Sequence, residues 1–184
     1  MLRNNEIILN TNQSANAVIR HIMSNPKIIP LFDLDGVLLN AEHRIKLHPD
    51  GSLDLDQYRK DSTLANIMQD KNLPLMAVIH HLNEYNRPYH VATARVLCEG
   101  SQALLKHRGI LPVKAISRGI DDTRKDWDLK VAGVQEQFKP EQFKHIMLID
   151  DCPSNCDAFI NALGAWAINV DINNTPKQWL QDLL

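Results

Sequence analysis

The chain of 184 residues has little of several features that mark special classes of protein. Its three cysteines are Cys98, Cys152 and Cys156, and this odd number without paired spacing argues against a disulfide framework and favours a reducing compartment. No second Cys/His pair stands at a spacing that would complete a zinc site. Aromatic residues make up 5%, and the formal net charge is −2, so no overall basic field attracts nucleic acid.

Long apolar runs are also missing. No run approaches the roughly 20 residues that cross a bilayer, and the first residues, 1–6, lack the apolar core of a signal peptide. We therefore expect a cytoplasmic protein without a membrane partner. The content of 44% hydrophobic and 23% charged residues is ordinary for a globular domain with one core, and it leaves the oligomeric state open.

What the sequence does contain is an alternation of strand-like and helix-like segments. Apolar runs predict strands over residues 27–33, 88–93, 113–117, 145–149 and 166–170. Helical spacing predicts helices over residues 14–24, 73–85, 99–108, 126–138, 153–163 and 175–183, with shorter pieces near 55–58 and 63–68. Strands that alternate with helices favour an α/β fold, in which helices cover both faces of a mainly parallel sheet.

Two segments fall outside this alternation. Residues 1–26 precede the first predicted strand, and we expect them to form an N-terminal helical extension to a domain over residues 27–184. Residues 40–72 are polar and contain the turn signal Pro49-Asp50-Gly51, which predicts a small insertion within the domain.

The most informative stretch is Asp33-Leu34-Asp35-Gly36, directly after the first predicted strand. Residues two apart on a strand point to the same side, and those at its carboxyl end project into the crevice where α/β sheets bind ligands. Two carboxylates there repel each other unless a cation or a proton compensates. The pattern indicates a Mg²⁺ site with a carboxylate free to attack, while a strand that ends in an acidic turn is the alternative for this motif alone.

Three further polar clusters end a predicted strand or open the helix after one. They are Thr93/Arg95, Lys125/Asp126/Lys130 and Asp150/Asp151. Because the carboxyl ends of parallel strands meet at one edge of the sheet, all four clusters are expected to converge on one crevice.

Together these residues provide the groups that phosphoryl transfer needs, which are chiefly positioning and charge stabilisation. Asp33 is the candidate nucleophile, and Asp35 would protonate a leaving alkoxide and then activate water. Asp150 would share Mg²⁺ with Asp33. Thr93 would donate a hydrogen bond to a phosphoryl oxygen, and Lys130 would neutralise both nucleophile and phosphoryl group.

With these motifs in this order, residues 27–170 resemble the haloacid dehalogenase superfamily of phosphohydrolases. The resemblance implies a Rossmann-like three-layer α/β/α fold, Mg²⁺ as cofactor and Asp33 as nucleophile. It also implies a metal held by the carboxylates of Asp33 and Asp150 and by the backbone carbonyl of Asp35. Asp151 has two interpretations, a ligand of a metal-bound water or a cap of the helix that begins at residue 153.

A narrower resemblance is to the 3′-phosphatase domain of polynucleotide kinase-phosphatase. The matching residues are Asp122-Thr123-Arg124-Lys125-Asp126 with Lys130, an arginine after the first motif, and Thr93-Ala94-Arg95, where Ala94 replaces a usual glycine. The resemblance implies substrate contacts or support from Arg44, Ala94, Arg95, Arg124, Lys125 and Asp126. From the residues alone, Arg44 is equally well a salt-bridging surface arginine, whereas the place of Arg95 beside the predicted crevice favours a functional role. Lys125 competes with Lys130 for one role.

The sequence thus predicts a Mg²⁺-dependent phosphomonoesterase that works through an aspartyl-phosphate on Asp33. A phosphorylated nucleic-acid 3′ end is one candidate substrate, and nucleotides and small metabolites are the alternatives, because the insertion and the rim of the crevice set specificity. Two interpretations come from other classes, a phosphoacceptor module like a receiver domain and a non-catalytic binding protein. Asp35, two residues after Asp33, favours turnover over a stable phosphoryl state.

Overall fold

The computed structural model describes residues 6–9, 15–49 and 54–170. The strands there are β1 (Glu6–Leu9), β2 (Ile29–Phe32), β3 (Leu39–Asn40), β4 (Lys71–Asn72), β5 (His90–Ala92), β6 (Ala115–Ile116), β7 (Ile146–Asp150) and β8 (Trp166–Val170). The helices are α1 (Ala15–Ser24), α2 (Leu55–Asp61), α3 (Leu64–Ile67), α4 (Met76–Glu84), α5 (Glu99–His107), α6 (Asp126–Gln137), α7 (Pro140–Phe143) and α8 (Pro153–Leu163), with a 3₁₀ helix at Glu42–Arg44.

Six of the strands form one parallel sheet in the order β1-β8-β7-β2-β5-β6. The central strand β7, Ile146-Met147-Leu148-Ile149-Asp150, is buried along its whole length. Such a continuous apolar run is typical of a parallel strand that is covered on both faces.

Alternate residues of the sheet pack into two separate apolar clusters, one on each face. Phe32 and Ile149 belong to the cluster that receives α1, α4 and α5. Leu31 and Leu148 belong to the cluster that receives α6 and α8. The result is a three-layer α/β/α arrangement, as the alternation of segments predicted.

Most predicted elements are present with ends shifted by a few residues. Strand β1 was not predicted, because four residues at the edge of a sheet give too short a pattern; it pairs with β8. Helix α1 buries Ala15 and Ile22, so the N-terminal segment contributes to the core. The predicted helix over residues 175–183 and the centre of the predicted turn at 49–51 lie outside the described residues.

The topology places the candidate residues together. Strands β7, β2 and β5 are adjacent in the sheet, and each is followed directly by one of the polar clusters. The short antiparallel pair β3–β4 closes the base of the predicted insertion, whose helices are α2 and α3. Within the described part of the chain, no helix has the length and apolar character needed to cross a membrane.

Candidate active site

The loop after β2 has a backbone shape that depends on glycine. The N–H of Leu34 donates to Asp33 Oδ1 at 2.7 Å, and the carbonyl of Leu34 accepts from the N–H groups of Leu38 and Leu39 at 2.9 and 2.8 Å. Gly36 has φ +80°, and a Cβ there would lie 2.0 Å from Asp151 Oδ2. Glycine therefore allows the loop to turn tightly against the Asp150/Asp151 cluster.

Lys130 lies between two carboxylates. Its side chain is fully buried, with Nζ 2.9 Å from Asp33 Oδ2 and 2.7 Å from Asp150 Oδ2. Burial opposes the charge of this ammonium, but Asp33 and Asp150 raise the pKa of Lys130 above its ordinary value, so it stays charged. Asp126, one helical turn before Lys130, pairs with Arg118, with Nη2 to Oδ1 at 2.6 Å.

The carboxylates of Asp33, Asp150 and Asp151 form a cluster whose oxygens lie within 4.8 Å of one another. Burial raises the pKa of Asp33 well above its ordinary value, Lys130 counteracts this, and Asp150 and Asp151 add to it. Burial and the neighbouring Asp150 raise the pKa of Asp151 to about 6. These closely spaced hard oxygen donors fit Mg²⁺, whose positive charge would relieve their repulsion.

Asp151 does not cap the helix that begins at residue 153. The N-cap of α8 is Cys152. The backbone N–H of Cys152 donates to Asp150 Oδ1 at 2.9 Å, and not to Asp151. Asp151 is therefore available to the acidic cluster instead of serving as the helix cap.

Asn155 belongs to this site although the sequence analysis did not single it out. Its Nδ2 donates to Asp150 Oδ1 at 2.9 Å and to Asp150 Oδ2 at 3.0 Å, and the residue is 1% exposed. The available signal was a polar residue on the inner face of α8, one turn after the acidic pair. Asn155 fixes the orientation of the Asp150 carboxylate.

Asp35 is paired with an arginine. Arg95 Nε donates to Asp35 Oδ2 at 3.1 Å, and Arg95 Nη2 donates to Asp35 Oδ1. Tyr58, from the insertion, reaches Asp35 Oδ2 with its hydroxyl at 3.4 Å. Although burial opposes the charge, Asp35 and Asp70 raise the pKa of Arg95 above its ordinary value.

Thr93 lies beside this pair. Its Oγ1 accepts from the backbone N–H of Arg95 at 3.1 Å, and the residue is almost fully buried. A hydroxyl that accepts in this way still has its own hydrogen to donate, which is the role predicted for Thr93.

These groups face a cavity of about 410 Å³. Its polar wall contains Asp33, Asp35, Thr93, Arg95, Asp126, Asp151 and Asn155. The insertion segment contributes Ile45, Tyr58, Arg59 and Ser62, and the loops around β5, β6 and β7 contribute Ala94, Val96, Cys98, Arg118, Ile120 and Cys152. The predicted insertion therefore forms one side of the cavity.

Three of the residues expected to contact substrate are not part of this wall. Arg44 is 1% exposed and is bound to Asp70, so its charge is already compensated inside the protein. Arg124 is exposed and pairs with Asp122 at 2.6 Å. Lys125 is exposed, with Nζ 5.9 Å from the ring centre of Trp127.

The other two expected contacts, Ala94 and Asp126, do line the cavity. Arg118 links them, because its Nε donates to the Ala94 carbonyl at 3.0 Å and its Nη2 donates to Asp126. Arg118 also binds the carbonyls of Asp122 and Arg124 through Nη1, at 3.0 and 2.7 Å. It therefore sets the path of the loop that leads into α6.

Comparison with known sequences finds a matching family over the part of the chain that precedes α6. The profile of the family described as bacteriophage T5 5′-deoxynucleotidase matches residues 20–125, more than half of the chain. The 5′-deoxynucleotidase of Escherichia phage T5 is 30% identical over 86 residues, which is 45% of this chain and 35% of the phage protein. The alignment thus spans about a third of the length of that relative.

Solved structures confirm the fold. A haloacid dehalogenase-like hydrolase from Streptococcus pneumoniae superposes with a TM-score of 0.59 at 14% identity, covering 86% of this chain and 91% of that one. A chain of the Pnkp1/Rnl/Hen1 RNA repair complex gives a TM-score of 0.59 at 19% identity, covering 80% of this chain and 43% of that one. The predicted haloacid dehalogenase-type fold is therefore confirmed.

Proposed function

The chain belongs to the bacteriophage T5 5′-deoxynucleotidase family, and from that premise we propose that it is a Mg²⁺-dependent phosphomonoesterase of nucleoside 5′-monophosphates. The observation that carries the proposal is the arrangement of Asp33 and Asp35 on one cavity wall. Asp33 lies against Lys130 and the other two acids, whereas Asp35 is held by Arg95. Two carboxylates in such different surroundings are suited to two different roles.

In the first step Asp33 attacks phosphorus, the bond between phosphorus and the leaving oxygen breaks, and Asp35 gives a proton to the leaving alkoxide. In the second step the Asp35 carboxylate takes a proton from water while the water oxygen attacks phosphorus. The bond between phosphorus and the Asp33 oxygen breaks, which releases inorganic phosphate and regenerates the Asp33 carboxylate. Lys130 compensates the charge at Asp33, and Thr93 donates to a phosphoryl oxygen. Mg²⁺, when held by the carboxylates of Asp33, Asp150 and Asp151, would supply charge neutralisation at the phosphoryl group.

The size and the walls of the cavity support a nucleotide as substrate. A volume of about 410 Å³ lies in the usual range for small-molecule sites, roughly 300–1,000 Å³. Apolar and aromatic side chains of Ile45, Tyr58, Val96 and Ile120 also line the cavity, and they suit the faces of a nucleobase.

A second candidate is the 3′-phosphate of a polynucleotide end. It is favoured by three exposed cations, which could contact a nucleic-acid backbone: Arg59 in the cavity lining, and Arg124 and Lys125, which directly precede the lining residue Asp126 in the sequence. Arg59 lies at the rim itself, where Nη2 donates to the carbonyl of Ile120 at 3.0 Å.

The test is phosphate release with Mg²⁺ from a panel of deoxy- and ribonucleoside 5′-monophosphates, matched 5′- and 3′-phosphorylated oligonucleotides, and a sugar phosphate. We expect the highest kcat/KM with the 5′-mononucleotides and a loss of at least about 10³-fold in Asp33→Asn. Asp128→Asn, which changes an exposed acid of α6, is the matched control. Rapid acid quench should trap phosphate on the wild-type protein and not on Asp33→Asn.

Each alternative has a distinct outcome. Preference for the 3′-phosphorylated oligonucleotide would select the polynucleotide end over the mononucleotide. Turnover that persists in Asp33→Asn would overturn the covalent mechanism. A trapped phosphoryl group without turnover would indicate a phosphoacceptor module, and silence of the wild-type protein across the panel would refute a nucleotide phosphatase.

A further inference from the structure

Asp70 lies between α3 and β4, at the end of the insertion, and it is fully buried. Its carboxylate binds two arginines. Arg44 donates to it from Nε at 2.9 Å and from Nη2 at 2.8 Å, and Arg95 donates to it from Nη2 at 2.7 Å. A bidentate arginine–carboxylate pair of this kind has a fixed geometry, so Asp70 is a rigid anchor.

Arg95 connects this anchor to the reaction. Its Nη2 is shared between Asp70 and Asp35, and its Nε binds only Asp35. The guanidinium is planar, so contacts along two of its edges fix its orientation. Asp70 therefore determines where Arg95 holds the carboxylate of Asp35.

The third nitrogen of the Arg95 guanidinium, Nη1, differs from Nε and Nη2. Arg95 Nη1 is buried and makes no hydrogen bond within the described residues, although Arg95 lines the cavity. Leaving a buried charged donor unsatisfied costs free energy, and such a donor in a native structure calls for an explanation. A substrate oxygen in the cavity would satisfy it.

We propose that Asp70 is a positioning residue for the reaction: it orients Arg95 so that Arg95 holds Asp35 for proton transfer and keeps Nη1 for the substrate. This inference rests on the proposed function. Asp70 makes no contact with the cavity itself, since it is absent from its walls. The alternative is that Asp70 only neutralises two buried arginines and contributes stability alone.

The leaving group separates these two possibilities. An alkoxide from a nucleoside needs a proton as it departs, whereas p-nitrophenolate departs without one. If Asp70 acts through Arg95 on Asp35, Asp70→Asn will reduce kcat/KM by about 10- to 100-fold for a nucleoside 5′-monophosphate and by less than about 3-fold for p-nitrophenyl phosphate. A purely structural role would reduce both by the same factor, through the folded fraction.

Asp61→Asn is the matched control. Asp61 lies in the same insertion, at the end of α2, and makes a long and partly exposed ion pair with Lys46 at 3.8 Å. We expect the ratio of the two kcat/KM values to stay at its wild-type level in this variant. A ratio that falls equally in Asp61→Asn and Asp70→Asn would overturn the inference.

Asp70→Asn leaves two buried arginines against fewer carboxylates, so a second variant restores the charge balance. Arg44→Gln combined with Asp70→Asn removes one positive and one negative charge but still removes the carboxylate anchor of Arg95. The leaving-group effect should persist in this double variant. An unchanged ratio of the kcat/KM values in a well-folded double variant would overturn the inference.

A measurement that does not depend on catalysis can test this inference separately from the proposed function. The Nε–H signal of Arg95 in nitrogen-15 NMR, assigned with Arg95→Lys, should exchange slowly with solvent in the wild-type protein and at least about tenfold faster in Asp70→Asn. Unchanged exchange in Asp70→Asn would refute the positioning role even if the enzyme is active. Absent turnover in the wild-type protein with faster exchange in the variant would instead refute the proposed function alone.

Discussion

Lys130→Met removes a buried cation that touches both Asp33 and Asp150. Methionine keeps much of the length and apolar volume of lysine, so the packing of α6 against the sheet should change little. The two carboxylates, whose oxygens lie 2.9 and 2.7 Å from Nζ in the wild-type protein, then lose their compensating charge in a buried place. We therefore expect this variant to lose stability as well as activity.

The size of the effect follows from the burial of Lys130. Breaking a buried ion pair by removal of one partner costs about 3–5 kcal/mol, because the remaining charge is left uncompensated. For a chain of this length that loss corresponds to a fall in Tm of about 6 to 20 °C. The free-energy cost of Lys130→Met should shrink as the pH falls from 7 towards 4. The raised pKa of Asp33 means that its folded form binds a proton before the unfolded form does, and a protonated Asp33 no longer needs Lys130.

The assay is thermal unfolding followed by circular dichroism, first in EDTA and then with Mg²⁺. Mg²⁺ should raise the Tm of Lys130→Met more than that of the wild-type protein, because the variant retains the three carboxylates of the metal cluster without their lysine. Lys106→Met, at an exposed position of helix α5, serves as control and should change the Tm by no more than a few degrees. A variant as stable as wild type in EDTA, or one that Mg²⁺ does not stabilise further, would refute the reasoning.

Three further perturbations test other parts of the structure. EDTA should abolish phosphate release and added Mg²⁺ should restore it, in a titration followed by inorganic phosphate; turnover that survives EDTA would contradict a metal-dependent site. Gly36→Ala should lower kcat by at least about 100-fold, because φ +80° and the 2.0 Å approach to Asp151 Oδ2 exclude a Cβ; near-normal turnover would contradict this. Burial and Lys114 lower the pKa of His90 to about 4, so the unfolded chain binds more protons between pH 4 and 6.5, and the free energy of unfolding decreases as the pH falls through this range. His90→Gln should remove up to about 2 kcal/mol of this acid sensitivity in urea unfolding at pH 4.5 and 7, and identical pH dependence of the two proteins would contradict it.

The sequence predicts the central elements of the fold well because their signals are local. Strand β7 is a continuous apolar run, and helix α8 begins with Pro153 and ends before Gly164 at φ +60°. Strand β1 has no such signal, since its place at the sheet edge comes from pairing with β8, far along the chain. The β3–β4 pair consists of two residues on each side, and its register likewise depends on residues about 30 positions apart.

The candidate site was predictable to the extent that residues follow strands directly. Asp33, Thr93 and Asp150 could be placed together because their strands are adjacent in a parallel sheet. The partners of the arginines could not be derived in this way. Arg44 and Arg95 meet at Asp70, which lies in a part of the insertion without regular alternation, so nothing in the pattern indicated that Arg44 is compensated internally.

The charges explain why metal and substrate should bind together. Among the described residues, the site and its supporting network contain the carboxylates of Asp33, Asp35, Asp70, Asp126, Asp150 and Asp151, and the lysine and arginines that contact them are Lys130, Arg44, Arg95 and Arg118. The excess of acids matches the charge of one divalent cation, and a phosphate monoester would otherwise enter a cavity that already repels it. The coupling free energy between Mg²⁺ and substrate should therefore be favourable, so each ligand should lower the Kd of the other by the same factor. Metal binding changes the charge of the acidic cluster, and a nucleoside without a phosphate carries no charge that responds to this change. The coupling should therefore be lost for an uncharged nucleoside.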